Sequence, residues 1–336
     1  MAGLIVLGAQ AAEILMSVES NRALVAEGMV PGTSCTVEYT TNLLDGFTNS
    51  SSLFGDLSAD RNGKIRADIP LPAYATLFFR AKGTPAVLPA GMVRIPEGTN
   101  GGTDPDVGAY TLTVDSFYMD QYEVTKALWD DVYNWAVTNG YSFDNSGSGK
   151  APNHPVQMVN WHDCLKWCNA RSEKESRTPC YTVSSAVYKT GRSVPDCNMD
   201  ANGYRLPAVD EWEYAGRGGL SGNRFPWGNT ITHSNANYQS STYYNYDINP
   251  TQGYHPDYED GIEPYTSPVG DFAANAYGLY DMAGNVYEWC WSESGATRNL
   301  RGGSWQGYAA NAIFDYFYTL TPVSARNTAG FRTVCR

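Results

Sequence analysis

The sequence predicts an α+β domain poor in regular secondary structure, preceded by a small all-β module. Three observations carry this. The N-terminal stretch is a run of short strand candidates separated by turn formers, with no helical periodicity. Beyond Gly91 only three segments combine a cap with an apolar stripe at helical spacing. Gly and Tyr number 33 and 24 in 336 residues while charged residues make up 17%, which suits a loop-rich domain better than a helical bundle or a doubly wound α/β enzyme. The length accommodates two domains: a β module over 1–84, a linker over 85–90, and a larger domain over 91–336.

In the module, Glu13–Val18, Arg22–Val25, Cys35–Thr40, Lys64–Ile69 and Thr76–Ala81 are the predicted strands. Pro31-Gly32, Leu44-Asp45-Gly46 and Asn62-Gly63 supply the turn chemistry between them, and the spacing fits an immunoglobulin-like or fibronectin-like sandwich. Gly83-Thr84-Pro85 to Pro89 reads as linker. In the larger domain, Val93–Gly98 is a strand running into a turn. Phe117–Thr125 is a second strand, and Thr125 caps a helix from Lys126 to Val137 with Leu128, Val132, Trp135 and Ala136 as its apolar stripe. Asn160 caps a second helix, Trp161 to about Lys174, with Cys164, Leu165, Trp167 and Cys168 inward. Pro207 starts a short third helix through Glu211, Trp212, Tyr214 and Ala215, stopped by Gly216 and Gly218-Gly219. Turns and irregular loops follow, and loops of that length usually need something to hold them, a metal ion being a common solution.

The formal charge is −12 and Lys and Arg form no cluster, which excludes a nucleic-acid binder. No segment is long enough to span a membrane. The apolar run Leu4–Ala12 ends like a signal peptide but lacks a basic start, so it reads equally as a first strand. Cys35, Cys164, Cys168, Cys180, Cys197, Cys290 and Cys335 have no zinc-ligand spacing. Cys180 and Cys197 bracket a β-type insertion and suit either a disulfide or a pair of buried thiols.

The C-terminal segment is different in kind. Arg301-Gly302-Gly303-Ser304-Trp305 and Gly330-Phe331-Arg332 read as rigid flanks, and Gly307 to Ala329 between them has neither helical nor strand periodicity. That interior holds Tyr, Phe, Asn, Asp, Ser, Thr, Ala and Gly but no Lys, Glu, Gln, Met or Trp. A stiff frame around a polar-aromatic segment is the layout of a binding site. Tyr gives large contact area at low rotamer cost, and Asn, Ser, Gly and Thr give adaptable hydrogen bonds.

The ordered landmarks Gly91-Met92-Val93, Tyr122-Glu123-Val124-Thr125, Pro155–Trp161, Tyr204-Arg205-Leu206-Pro207, Glu211–Ala215, Phe225-Pro226-Trp227-Gly228, Tyr277–Trp289, Arg301–Trp305 and Gly330-Phe331-Arg332 resemble the formylglycine-generating enzyme (sulfatase-modifying factor) family, over roughly Gly91 to Arg336. The resemblance implies a decorated C-type lectin-like α+β domain. Enzyme members carry two copper-binding cysteines just after the Gly-Gly-Ser-Trp-like motif; the corresponding positions here are Gly307 and Ala312, and neither side chain supplies a thiolate. Histidines of the iron-dependent relatives have no counterpart in His154, His162, His233 and His255, which are scattered. The chain is also similar to the variable proteins of diversity-generating retroelements, built on the same scaffold. In that group the stretch before a terminal Gly-Phe-Arg is rewritten at template adenines. Rewriting Asn codons in this way cannot yield Lys, Glu, Gln, Met or Trp, the five residues missing from Gly307–Ala329.

These readings select candidate sites. The displayed face, within a variable segment of about 306–329, is expected to comprise Gly307, Tyr308, Asn311, Asp315, Tyr316, Tyr318, Thr319, Leu320, Val323, Ser324, Asn327 and Thr328, with Thr321-Pro322 fixing a turn. For Tyr308, Tyr316 and Tyr318, ordinary half-burial is the competing reading. Asp281, Gly284, Val286 and Glu288 are a candidate structural calcium site, carboxylates with carbonyls between them. The resemblance implies a second at Asn237 and Asp260 with the carbonyls of Tyr238 and Ile262. Loop-capping hydrogen bonds without an ion are the alternative at both. Glu211 and Glu213, and Asp257, Glu259 and Asp260, are read as solvated faces or metal ligands rather than catalytic pairs. Arg301 and Arg332 are expected to pair with buried carboxylates.

The expectation is a non-catalytic, exported protein of the cell surface, a lipid anchor being one means of attachment. Its C-terminal segment binds a protein or glycan on another cell or host surface, with no nucleic-acid partner and no direct membrane span. A formylglycine-type copper oxidase, or related family enzyme, is the first alternative; a fixed calcium-supported lectin is the second.

Overall fold

A computed structural model of the protein describes residues 89–336 and, of the preceding stretch, its strands. The chain divides into two compact units, Met1–Pro89 and Ala90–Arg336. The first is all-β as described. Leu15–Val18, Ala23–Glu27 and Ile65–Asp68 form an antiparallel sheet. Ser34–Thr40 pairs antiparallel with Ser51–Ser52, Leu57–Ser58 and Phe78–Lys82. Each predicted strand of the module overlaps one of these. The apolar run at 4–12, the turns and most of the linker lie outside the described residues.

The second unit is built on short sheets and three helices. Phe117–Asp120 is central to an antiparallel sheet between Met92–Ile95 and Val334–Cys335, so the first and last strands of the domain share one central strand. A hairpin joins Gly98–Asp104 to Gly108–Val114. A four-stranded sheet runs in the order Tyr318–Leu320, Thr297–Arg301, Tyr287–Ser294, Ala329–Gly330, its last pair parallel.

Helix α1 spans Lys126–Thr138, and the Thr125 side chain accepts from Leu128 N, as the sequence predicts. Its buried stripe is Trp129, Val132 and Ala136: Val132 and Ala136 are as expected, while Leu128 and Trp135 are only partly buried and Trp129 lies deepest. Trp129 stacks on Trp167 at 5.9 Å and meets Phe331 edge-on at 6.0 Å. Helix α2, Trp161–Lys174, has a full capping box between Asn160 and Asp163. Its Cys164, Leu165, Trp167 and Cys168 are fully buried, as are charged neighbours on the same helix. Helix α3, Val209–Arg217, continues through Gly216 and ends at Gly218, whose φ of 56° is the left-handed cap. Trp129, Trp161, Trp167, Trp212, Trp289 and Trp305 are each buried to within 2% and knit helices and sheets into one interior.

Candidate ligand-binding face

The C-terminal segment leaves the sheet along Thr297–Arg301 and turns at Gly302 and Gly303, with φ of 91° and 81°. A Cβ on Gly303 would lie 3.0–3.1 Å from the backbone of Asn311 and Ala312, so glycine lets the segment fold closely onto its own start. Trp305 follows, buried, and its indole N–H donates to the Asn327 carbonyl at 3.1 Å. Its backbone N–H donates to the Asn285 carbonyl at 2.8 Å. One side chain therefore ties the two ends of the segment together.

Between those ends the frame is mostly main chain. A 3₁₀ turn covers Ala309–Asn311, and the Asn311 side chain accepts from Tyr308 N at 2.8 Å. The Gly307 carbonyl accepts from Gln239 N, and Phe314 N donates to the Arg224 carbonyl. Arg301 donates to the carbonyls of Phe314 at 2.7 Å and Tyr316 at 3.3 Å. Tyr318–Leu320 pairs with Thr297–Arg301, and Thr328 O accepts from Tyr287 N. Ser324 N donates to Thr321 O, closing the expected turn. Backbone groups do not depend on side-chain identity, so this frame accepts many sequences.

Side chains then divide by direction. Ala309, Ala312, Phe314 and Leu320 point inward. Tyr308 is 43% exposed, Phe317 53% and Val323 46%. Asn311, Asp315, Tyr316, Tyr318, Thr319, Ser324, Asn327 and Thr328 are half-buried at the rim. The expected face needs two corrections: Gly307 is buried against Asn311, and Leu320 fills the interior of the sheet. Sequence reasoning missed Phe317. Its direction follows from the pairing of Tyr318–Leu320 with Thr297–Arg301, which the segment's own pattern does not announce. The reading also missed the loop beside the segment. Tyr243 is 84% exposed, and Tyr244 stands 6.3 Å from the Tyr308 ring and 5.7 Å from Tyr246. Tyr287 and Tyr318 pack at 5.1 Å. The face is a band of tyrosines, some in the C-terminal segment and some in neighbouring loops.

Beneath it lies a charged interior. Arg332 donates through Nε and Nη2 to both oxygens of Glu288, each at 2.7 Å, and Trp212 Nε1 adds a third bond at 2.7 Å. Glu213 accepts from Arg217 at 2.8 Å and Arg301 at 3.2 Å; Glu211 is held by both arms of Arg205 at 2.6 Å. The reading of Glu211 and Glu213 as a solvated face is therefore corrected: both are buried, because Arg205, Arg301 and, on the same helix, Arg217 neutralise them. Glu123 accepts from Asn285 Nδ2 at 2.6 Å and Val286 N at 3.1 Å. Burial, with Asp281 and Glu288 nearby, holds its carboxyl well above the usual range.

The candidate calcium donors can be tested on the same geometry. Both oxygens of Glu288 are occupied by Arg332 and Trp212, so they do not turn toward a cation. The backbone N–H of Gly284 donates to Gly302 O and that of Val286 to Glu123. At Asp281 one oxygen accepts from Gly270 N at 2.7 Å and the other is buried without a partner among the described residues. At the second candidate, Asn237 Nδ2 donates to Tyr265 O, and the Tyr238 carbonyl accepts from His233 Nε2. Asp260 and the Ile262 carbonyl face Lys150. Among the described residues no three His, Cys, Asp or Glu side chains are grouped to hold a metal.

Thiol chemistry fares no better. Gly307 and Ala312, the positions that the resemblance sets against the enzymes' cysteines, are buried. Cys164, Cys168, Cys180, Cys290 and Cys335 are buried free thiols and Cys197 is half-buried. Burial pushes the thiols of Cys180 up to about 11 and of Cys197 and Cys335 to about 12, away from the thiolate that reactivity needs. Cys180 and Cys197 form no disulfide.

Fold and face together define a C-type-lectin-like α+β domain that mounts its C-terminal segment on a fixed frame. The chain belongs to the family described as the sulfatase-modifying factor enzyme 1-like domain, which matches residues 79–336. Inactive C-alpha-formylglycine-generating enzyme 2 of Bos taurus is 38% identical over 274 residues, covering 73% of this chain and 85% of the relative. Formylglycine-generating enzyme of Mus musculus is 30% identical over 287 residues, covering 72% and 74%. Among solved structures, Treponema denticola variable protein 1 superposes with a TM-score of 0.56 at 26% identity, covering 73% of this chain and 94% of that one. Among the described residues no helix is long and apolar enough to cross a membrane.

Proposed function

We propose that this protein is a non-catalytic binding protein whose C-terminal segment, diversified by a retroelement, is the binding site. The observation that carries this reading is the division of labour in that segment. Backbone hydrogen bonds, Arg301 and Trp305 fix its path, while Tyr308, Phe317 and Val323 project into solvent. Exposed substitutions usually cost little stability, so the side chains can be exchanged without unfolding the domain. The likeness to a variable protein on the same fold supports it, as does a segment free of the residues that adenine rewriting of Asn codons cannot produce. The ligand is a protein or glycan on another cell or host surface, and the protein acts exported, at the surface. Oxidation of a cysteine peptide would need thiolates where Gly307 and Ala312 stand.

The test is genomic. The coding DNA around the segment is sequenced from many isolates. The expected result is a nearby reverse-transcriptase gene, a near-copy of the last coding stretch differing opposite adenines, and changes between residues 306 and 329. An invariant segment with no such copy overturns the proposal.

A further inference from the structure

We propose that Lys150 is a built-in cation, occupying with its ammonium group the place where this fold would otherwise hold a metal ion in the loop at 254–266. The contact itself is independent of the binding reading, and its role for the face rests on that reading. Lys150 Nζ lies 2.7 Å from Asp260 Oδ1 and 3.1 Å from the Ile262 carbonyl oxygen, and 5.6 Å above the Tyr265 ring. Two hard oxygens and an aromatic face converge on one positive charge. Asp260 Oδ1 also accepts from Ile262 N at 3.1 Å, which shapes the turn around the ammonium. The other residues of the candidate cation site make hydrogen bonds of their own. The Asn237 side chain donates to the Tyr265 carbonyl, its own carbonyl accepts from Asn285, and the Tyr238 carbonyl accepts from His233.

The loop so held has a task. Tyr254 and Tyr265 pack on Trp305 at 5.7 and 5.2 Å, and Trp305 ties the two ends of the C-terminal segment. Lys150 is 110 residues from Asp260 in sequence, so its ammonium clamps this loop to the segment after α1. Two further bonds run beside it, His154 to Thr266 at 2.9 Å and Val269 N to Asn153 O at 2.9 Å. Lys150 is thus a positioning residue for the face. A covalently attached cation needs no ion from the medium and keeps the loop in place whatever the calcium level.

The experiment uses the full chain and a glutamate-specific protease, with cleavage after the exposed Glu259 quantified by mass spectrometry. Wild type, Lys150→Met and Lys150→Arg are compared in EGTA and in about 5 mM calcium, a concentration that fills weak extracellular-type sites. The wild-type rate is expected to be the same in both media. Lys150→Met is expected to be cut about three-fold faster, the scale of a partly exposed ion pair, and Lys150→Arg to stay near wild type. EGTA accelerating wild-type cleavage after Glu259 would overturn the proposal, because the loop would then depend on an ion. An unchanged rate in Lys150→Met would overturn it too. Should Lys150→Met fail to fold, the wild-type comparison in the two media and the Lys150→Arg rate still decide.

Discussion

At the scale of single residues the domain is governed by buried charge. Asp281 shows the cost. Its backbone has a φ of 55°, one oxygen is buried without a partner, and Glu123 and Glu288 lie close by. Burial raises its carboxyl to about 6, with Glu288 and Asp271 adding to the rise and Gly270 N–H and Arg332 opposing it. The folded-state value is above that of the unfolded chain. The folded protein therefore holds the proton more tightly, and this group's contribution is most favourable below about pH 4 and is lost as pH rises through about 6. Asp281→Asn removes the ionised form. It should stabilise the protein relative to wild type by on the order of 2 kcal/mol at pH 7.5 and by almost nothing at pH 4, read from denaturant midpoints. A difference that does not change with pH would show that Asp281 does not titrate in this window. Arg332 and Glu288 make the opposite case. Arg332→Met leaves an unpaired buried carboxylate, and a loss of about 3–5 kcal/mol is expected; a loss under about 1 kcal/mol would mean that Trp212 and neighbouring backbone suffice.

Among elements, legibility in the sequence followed locality. The three helices were readable because caps and stops are local chemistry: Thr125, Asn160 and Gly218 act within a turn of themselves. In α1 Val132 and Ala136 were legible as buried, but the depth of Trp129 was not, because it is set by Trp167 and Phe331, which are distant in sequence. Glu213 was unreadable as a buried residue for the same reason, since one of its partners, Arg301, is 88 residues away. In the C-terminal segment the flanks and the turn at Thr321 were legible, while the inward course of Leu320 and the outward one of Phe317 depend on pairing with Thr297–Arg301. That pairing yields a contrast that can be measured. Phe314→Ala and Leu320→Ala remove buried side chains and should cost about 2–5 kcal/mol, whereas Phe317→Ala and Val323→Ala should stay within about 0.5 kcal/mol of wild type. Equal losses in both groups, measured by chemical unfolding, would mean that the segment is packed as core throughout.

For the molecule as a whole, the arrangement separates stability from recognition. Tryptophans, buried arginine–carboxylate pairs and the sheet that joins both ends of the domain supply the first. A band of tyrosines and small polar residues supplies the second, on a path fixed mostly by main-chain hydrogen bonds. The family resemblance in the sequence pointed to the scaffold, and the replacement of cysteine by Gly307 and Ala312 pointed away from its chemistry. Neither indicated that Tyr243 and Tyr244 extend the face, because that loop meets Tyr308 only through the fold. The most direct measurement of the central claim is a display library carrying all amino acids at each position from 306 to 329, sorted for correctly folded domain. The account predicts near-complete tolerance at Tyr308, Asp315, Phe317, Thr319 and Val323, with strong selection at Trp305 in a matched control and at Ala309, Ala312, Phe314 and Leu320. Strong selection at the exposed positions, or none at the buried ones, would contradict it.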